Sequence, residues 1–145
     1  MERLHFSIDI AAPRQKVWDV LWGDDSYSKW TSVFSEGSHA ETDWQEGSKV
    51  LFLDGKGSGM YSRIDRSVVP EFMSFRHLGV VKDGEEQPGD GETKEWENAL
   101  ENYTLSEKAG GTELVIDLDG ADEYKDYFSE TFPKALEEVK KLAES

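Results

Sequence analysis

Between Tyr124 and Leu142 the apolar residues Tyr124, Phe128, Phe132, Leu136, Val139 and Leu142 recur in steps of three and four, with lysines and glutamates filling most positions between them. That spacing puts all of them on one side of a 3.6-residue turn, so the segment predicts one long amphipathic helix with a stripe rich in aromatics. Such a stripe has to be buried against something. The upstream segments read mainly as strand, so the chain is expected to close a curved antiparallel sheet over this helix. A sheet that grips a helix can leave a pocket between the two, and function is sought there.

From Arg3 to Ala11, Leu4, Phe6, Ile8 and Ile10 alternate with His5, Ser7 and Asp9, the pattern of a half-buried strand. Ala12-Pro13 stops it, and Pro13 suits the first turn of a short helix carrying Val17, Trp18, Val20, Leu21 and Trp22. Gly23-Asp24-Asp25 ends that helix, and a second short one begins near Ser26 with Tyr27, Trp30 and Phe34. Glycine-punctuated strands follow: Gly37 to Trp44, Ser48 to Leu53, Gly59 to Val68 and Glu71 to Val80. Lys82 to Lys94 contains no apolar residue and reads as a mobile acidic loop. Glu95 to Ser106 and Thr112 to Asp119 form the last strand pair. Neither a repeat nor a linker divides residues 1–145, which read as a single domain. Pro133 falls inside the final helix, where the lost amide predicts a bend or a restart.

Composition narrows the function classes. The formal charge of −15, from 31 acidic and 16 basic residues, gives a surface field that repels phosphate backbones and anionic lipid, so no nucleic-acid partner is expected. Its plain use is solubility. With no cysteine there is no disulfide, thiolate metal site or cysteine nucleophile. No stretch of 18 apolar residues exists and MERLHFSID lacks the apolar run of a signal peptide, so a soluble, cytoplasmic monomer without membrane insertion is expected.

The strings APRQKVWDVLW, YSKWTSVF, ETDWQEGSKVLF, MSFRHLG, ENYTLSE followed by GGTELVIDLD, and YFSETFPKALEEVKKLAE span nearly the whole chain. Together they resemble the SRPBCC (START/birch-pollen-allergen-like) superfamily, and within it bacterial proteins similar to the C-terminal domain of the activator of heat-shock-protein-90 ATPase. The resemblance implies an α+β helix-grip fold: a seven-stranded curved antiparallel sheet wrapped around a long C-terminal helix, with two short helices between strands 1 and 2. Its motifs are structural. Members include lipid carriers, aromatic-ring cyclases, hydroxylase subunits, hormone receptors and co-chaperones, so fold does not select function.

In that arrangement the inner face of the sheet is expected to bring Phe6, Ile8, Val50, Phe52, Met73, Phe75, His77, Glu101, Tyr103 and Leu105 towards Phe128, Phe132 and Leu136. A mostly apolar lining with a few polar groups is what a small-molecule pocket requires, and a filled core is the alternative. Pairing His77 with Glu101, and Phe75 with Tyr103, across the acidic loop would put His77 and Glu101 in contact. They would serve as acid and base, orient a ligand's polar end, or satisfy each other near the rim of the sheet. Trp18, Trp22 and Trp30 either gate the pocket or staple the short helices to the sheet. His5, His39 and His77 lie on separate strands with no metal-ligand spacing, no G-x-S-x-G elbow is present, and Gly55-Lys56-Gly57-Ser58-Gly59 is a hairpin turn rather than a phosphate loop. The expected function is a non-catalytic module binding a small hydrophobic or aromatic molecule, with no cofactor and no metal. Docking of the acidic surface on a basic patch of a chaperone or another protein is the alternative, and proton transfer by His77 and Glu101 is a third.

Overall fold

The N-terminal alternation becomes β1 (Glu2–Ile10), with Leu4 and Ile10 buried and Phe6 and Ile8 half-buried on the same face. The computed structural model describes residues 2–34, 37–86, 99–120 and 125–145. Two short helices follow, α1 (Arg14–Trp22) and α2 (Asp24–Thr31), hinged on a single residue. Gly23 is at once the last cap of α1 and the first cap of α2, and a Cβ there would sit 2.7 Å from the Asp19 carbonyl oxygen and 2.9 Å from Ser26 Oγ. Only glycine lets the two helices approach so closely, and α2 therefore starts two residues before the expected Ser26.

The remaining strands are β2 (His39–Glu41), β3 (Lys49–Leu53), β4 (Gly59–Val68), β5 (Phe72–Lys82), β6 (Glu85–Glu86), β7 (Leu100–Lys108) and β8 (Gly111–Gly120). They form one antiparallel sheet in the order β1-β8-β7-β5-β4-β3-β2, with β6 a two-residue extension on β5. The fold is α+β, a helix-grip sheet of seven main strands closed by a long helix, α3 (Lys125–Glu144).

Three expectations need correction. The strand expected over residues 37–44 contracts to β2, because Trp44 has φ of +59° and turns its ring onto Trp22, 5.1 Å away between centroids. The loop expected from Lys82 begins as paired strand, since Lys82 and Val81 bond to β6; residues 87–94 of that loop, like the expected strand start at 95–98 and Tyr124, lie outside the described residues. Of the bend or restart expected at Pro133, only the restart is corrected: helix α3 runs through Pro133 as one element. Both Pro133 and Ser129, whose carbonyl loses its donor, are exposed, so water can take up the freed acceptor.

Burial follows the expected stripe. Phe132, Leu136 and Val139 are buried, Phe128 and Leu142 partly so, and Thr131, Ala135 and Ala143 complete the buried side of α3. Near its C-terminus α3 is tied to the end of β1 by two polar contacts: Lys140 Nζ donates to the Asp9 carbonyl at 3.1 Å, and the Ala11 amide donates to Glu144 Oε2 at 2.9 Å. Below α1 the space is filled: Trp22 packs edge-on against both Phe75 (5.3 Å) and Tyr103 (5.0 Å). No helix is long and apolar enough to cross a membrane among the described residues.

Candidate functional site

Where the large rings of α1 end, the packing opens. A cavity of about 590 Å³ lies between α2, the first half of α3 and the strands β3, β4, β5 and β7. Tyr27 and Trp30 enter from α2, Phe52 from β3, His77 from β5, Glu101 and Tyr103 from β7, and Tyr127, Phe128 and Phe132 from α3; Phe34 closes one side. Asp54 and Ser58 belong to the turn between β3 and β4 and form part of the wall. Among the described residues, eight of the seventeen that line it are aromatic.

The residues expected to form one lining divide into two sets. Phe52, His77, Glu101, Tyr103, Phe128 and Phe132 line the cavity. Val50, Phe75 and Leu105 are fully buried in the packed core, where Leu136 is also buried. Met73 faces a separate shallow depression beside Trp18, Trp22 and Trp44. Phe6 stacks on Phe132 from behind (5.1 Å), and Ile8 packs on the core farther along β1. Of the three tryptophans, Trp18 and Trp22 fasten α1 to the core, whereas Trp30 reaches the cavity with its indole Nε1 donating to the Leu21 carbonyl at 3.1 Å.

His77 and Glu101 do meet, although not by the expected pairing. Backbone register sets Phe75 opposite Glu101 and Met73 opposite Tyr103, two residues from the expected alignment, while the His77 amide donates to the Ala99 carbonyl. Both alignments have the same parity and keep the side chains on one face. The contact is therefore diagonal, with His77 Nε2 3.3 Å from Glu101 Oε1. On the other carboxylate oxygen, Tyr103 Oη donates to Glu101 Oε2 at 2.5 Å.

Ser62 completes this chain of polar groups. Its Oγ lies 2.7 Å from His77 Nδ1 and the residue is entirely buried. A break in register at Tyr61/Ser62 brings it there: Tyr61 pairs with Gly79 but Ser62 pairs with His77, leaving Leu78 without a partner on β4. With the hydroxyl donating to Nδ1, Nε2 carries the ring proton and donates to Glu101. The order Ser62, His77, Glu101, Tyr103 is thus a continuous line of hydrogen bonds running from the sheet interior to the cavity wall.

Electrostatics favours one charge state for the phenols. Burial, and then the Glu101 carboxylate, pushes the Tyr27 hydroxyl far above its ordinary pKa; burial, the Glu101 charge and the hydrogen bond to it do the same for Tyr103. Both remain protonated donors. Ser62, Tyr27 and Tyr127 are not among the pocket residues expected from the sequence: Ser62 is placed by a bulge, and the tyrosines enter from α2 and α3.

The other histidines are elsewhere, His5 beside Asp117 at 2.6 Å on the outer face and His39 on the edge strand. No group of three metal-ligating side chains converges among the described residues.

No curated protein matches the chain. Among solved structures it is similar to a protein from Mesorhizobium loti (TM-score 0.76, 12% identity, 97% of this chain and 96% of that one). It is also similar to the Aha1 dimer from Colwellia psychrerythraea (TM-score 0.74, 18% identity, 99% and 97%). A third likeness is to DynU16, a putative protein in the dynemicin biosynthetic locus (TM-score 0.73, 14% identity), of which it spans 48% while 100% of this chain is covered. At such identities these likenesses carry the fold. A family model, that of Activator of Hsp90 ATPase homolog 1-like protein, matches residues 11–144. With the helix-grip architecture and a match across nearly its entire length, the chain belongs to the family of Activator of Hsp90 ATPase homolog 1-like proteins.

Proposed function

We propose that the protein is a non-catalytic binding module that takes a small apolar or aromatic ligand, carrying one polar group, between its sheet and its C-terminal helix. The observation that carries this reading is the cavity of about 590 Å³, walled by aromatic rings and holding the Glu101 carboxylate against His77 and Tyr103. That volume lies within the range of small-molecule sites, and rings supply most of the contact area while Glu101 orients the ligand. Against catalysis, Ser62 is sealed behind His77 and both imidazole nitrogens are engaged by protein groups. A monomer in the cytoplasm is part of this reading.

The test is an NMR titration of labelled protein with a panel of lipids, flavonoids and simple aromatics. Shifts gathered at Phe52, His77, Glu101, Tyr103 and Phe128, with Trp18 and Met73 unmoved, are the expected result. A silent panel would remove the reading, and chemical conversion of a bound compound would replace it with an enzymatic one. The family's description favours a second reading, docking of the acidic surface on a basic patch of a chaperone. Such docking should weaken steeply with salt, whereas uptake of an apolar molecule should barely respond.

A further inference from the structure

Resting on that cavity, we infer that its ligand is an organic cation: an ammonium group on an apolar or aromatic body. The wall carries two carboxylates, Glu101 at depth and Asp54 in the turn after β3, and neither lysine nor arginine among the described residues that line it. The rest is dominated by aromatic rings, including Tyr27, Trp30 and Phe128, whose faces attract cations.

Glu101 still has capacity for a ligand. Each of its oxygens accepts one hydrogen bond from the protein, Oε1 from His77 and Oε2 from Tyr103, and a carboxylate offers about four acceptor positions. Its side chain remains 21% exposed, against 7% for His77, so the open positions face the cavity. An ammonium would add a charge-assisted bond there. At Asp54 the amides of Ser58 and Lys56 bond to the carboxylate and hold it below the ordinary range, which favours its charged form. Lys56 attracts Asp54 from the same turn but does not line the space.

Other ligand classes fit less well. A carboxylate or phosphate would bring like charge against Glu101 in a ring-walled space, with no lysine or arginine among the described lining residues to receive it. A neutral ligand could give Glu101 an uncharged hydrogen bond but would forgo the charge-assisted one and the attraction of a cation to the rings. His77 supplies no free donor, since one nitrogen faces Ser62 and the other Glu101. The net charge of −15 adds long-range attraction for cations approaching the opening.

Calorimetric titration of the full chain with naphthylmethylamine, naphthylmethanol and naphthoate, three probes of nearly one shape, tests the inference. The amine should bind about tenfold more tightly than the alcohol, and naphthoate most weakly. Glu101→Gln should erase the amine's advantage, while Glu107→Gln, on the exposed end of the same strand, should leave it intact. Equal binding of amine and alcohol, or tightest binding of naphthoate, would overturn the cation inference and leave the cavity reading standing. Binding of none of the three would remove both. An advantage that survives Glu101→Gln and disappears at high salt would assign it to the surface field, again overturning the inference. Should Glu101→Gln not fold, the wild-type ranking at high salt decides: a retained amine advantage supports the pocket, a lost one overturns it.

Discussion

His77 reaches Glu101 diagonally across two strands, with Nε2 3.3 Å from Oε1, while its own backbone bonds to Ala99. A direct cross-strand pair would have directed both side chains to the same height above the sheet. The diagonal offset instead leaves His77 leaning towards β7 with its second nitrogen free to meet Ser62 on β4. One imidazole thereby ties three adjacent strands, β4, β5 and β7, beneath the cavity.

The Ser62 hydroxyl is accordingly expected to satisfy Nδ1 of the histidine, whose tautomer the acceptor-only carboxylate of Glu101 sets. Ser62→Ala strips Nδ1 of its partner inside the protein and should lower stability by about 1–3 kcal/mol, the cost of an unsatisfied buried group. Urea unfolding measures that loss. Nitrogen-15 shifts of His77 should report Nε2–H in parent and variant alike, because the Glu101 carboxylate still accepts that proton; a mixture of tautomers in the variant would show that Ser62 sets the tautomer.

Alkaline pH should destabilise the fold through two phenols. Tyr27 and Tyr103 have folded-state pKa values raised above the ordinary 10.0, by burial first and by Glu101 second. The sign follows from proton binding: above about pH 10 the unfolded chain releases phenolic protons that the folded chain keeps, so stability is fully present below that point and declines above it. Denaturation curves recorded between about pH 9 and 11.5 should show this decline, and Tyr103→Phe should make it shallower. An equal slope in parent and variant would contradict the assignment.

Phe132 and Phe128, one turn apart on α3, should separate stability from binding. Phe132 is nearly buried and packs against Phe6, Phe34 and Phe128, so Phe132→Ala should cost about 3–5 kcal/mol. Phe128 is only half-buried, and Phe128→Ala should cost about 1 kcal/mol while weakening ligand uptake. Thermal unfolding and titration of the two variants check the split.

How much of this was legible in the sequence differs from element to element. The alternation over Leu4 to Ile10 and the three-four spacing of α3 are direct signatures of burial, and they located β1 and the helix stripe to within a residue or two. Alternation also chose the inner face correctly for Val50, Phe75 and Leu105. It carries no information about what covers that face: α1 with its Trp22 fills one part, and α2 leaves the other open. The register between β5 and β7 was equally hidden, because a two-residue shift keeps every side chain on its face and leaves the alternation unchanged. Ser62 was invisible for a sharper reason. Its place opposite His77 depends on a register break, and a strand pattern read from one chain segment does not reveal which residue its partner strand skips.

Replacing the proline of α3 should strengthen the protein. Pro133 sits in the helix interior, exposed, where it withholds the amide that Ser129's carbonyl would accept. Pro133→Ala restores that bond with little change to the buried side of the helix, and a gain of about 1–3 kcal/mol is expected. A loss of stability on urea unfolding would mean that Pro133 contributes more to the folded helix than the bond it withholds.

The contacts of Lys140 and Glu144 with the end of β1 carry a consequence for behaviour in crowded solution. β1 is an outer strand of the sheet, nine residues long, and a row of unoccupied amides and carbonyls there would be a template on which a second chain could pair. At Asp9 and Ala11 those positions are already taken by side chains from the last turns of α3. The opposite margin, β2, is only three residues long and offers little to pair with. The helix that closes the cavity therefore also occupies two outward backbone groups at the C-terminal end of this edge, one on the strand and one just past it, and leaves less of it open to a second chain.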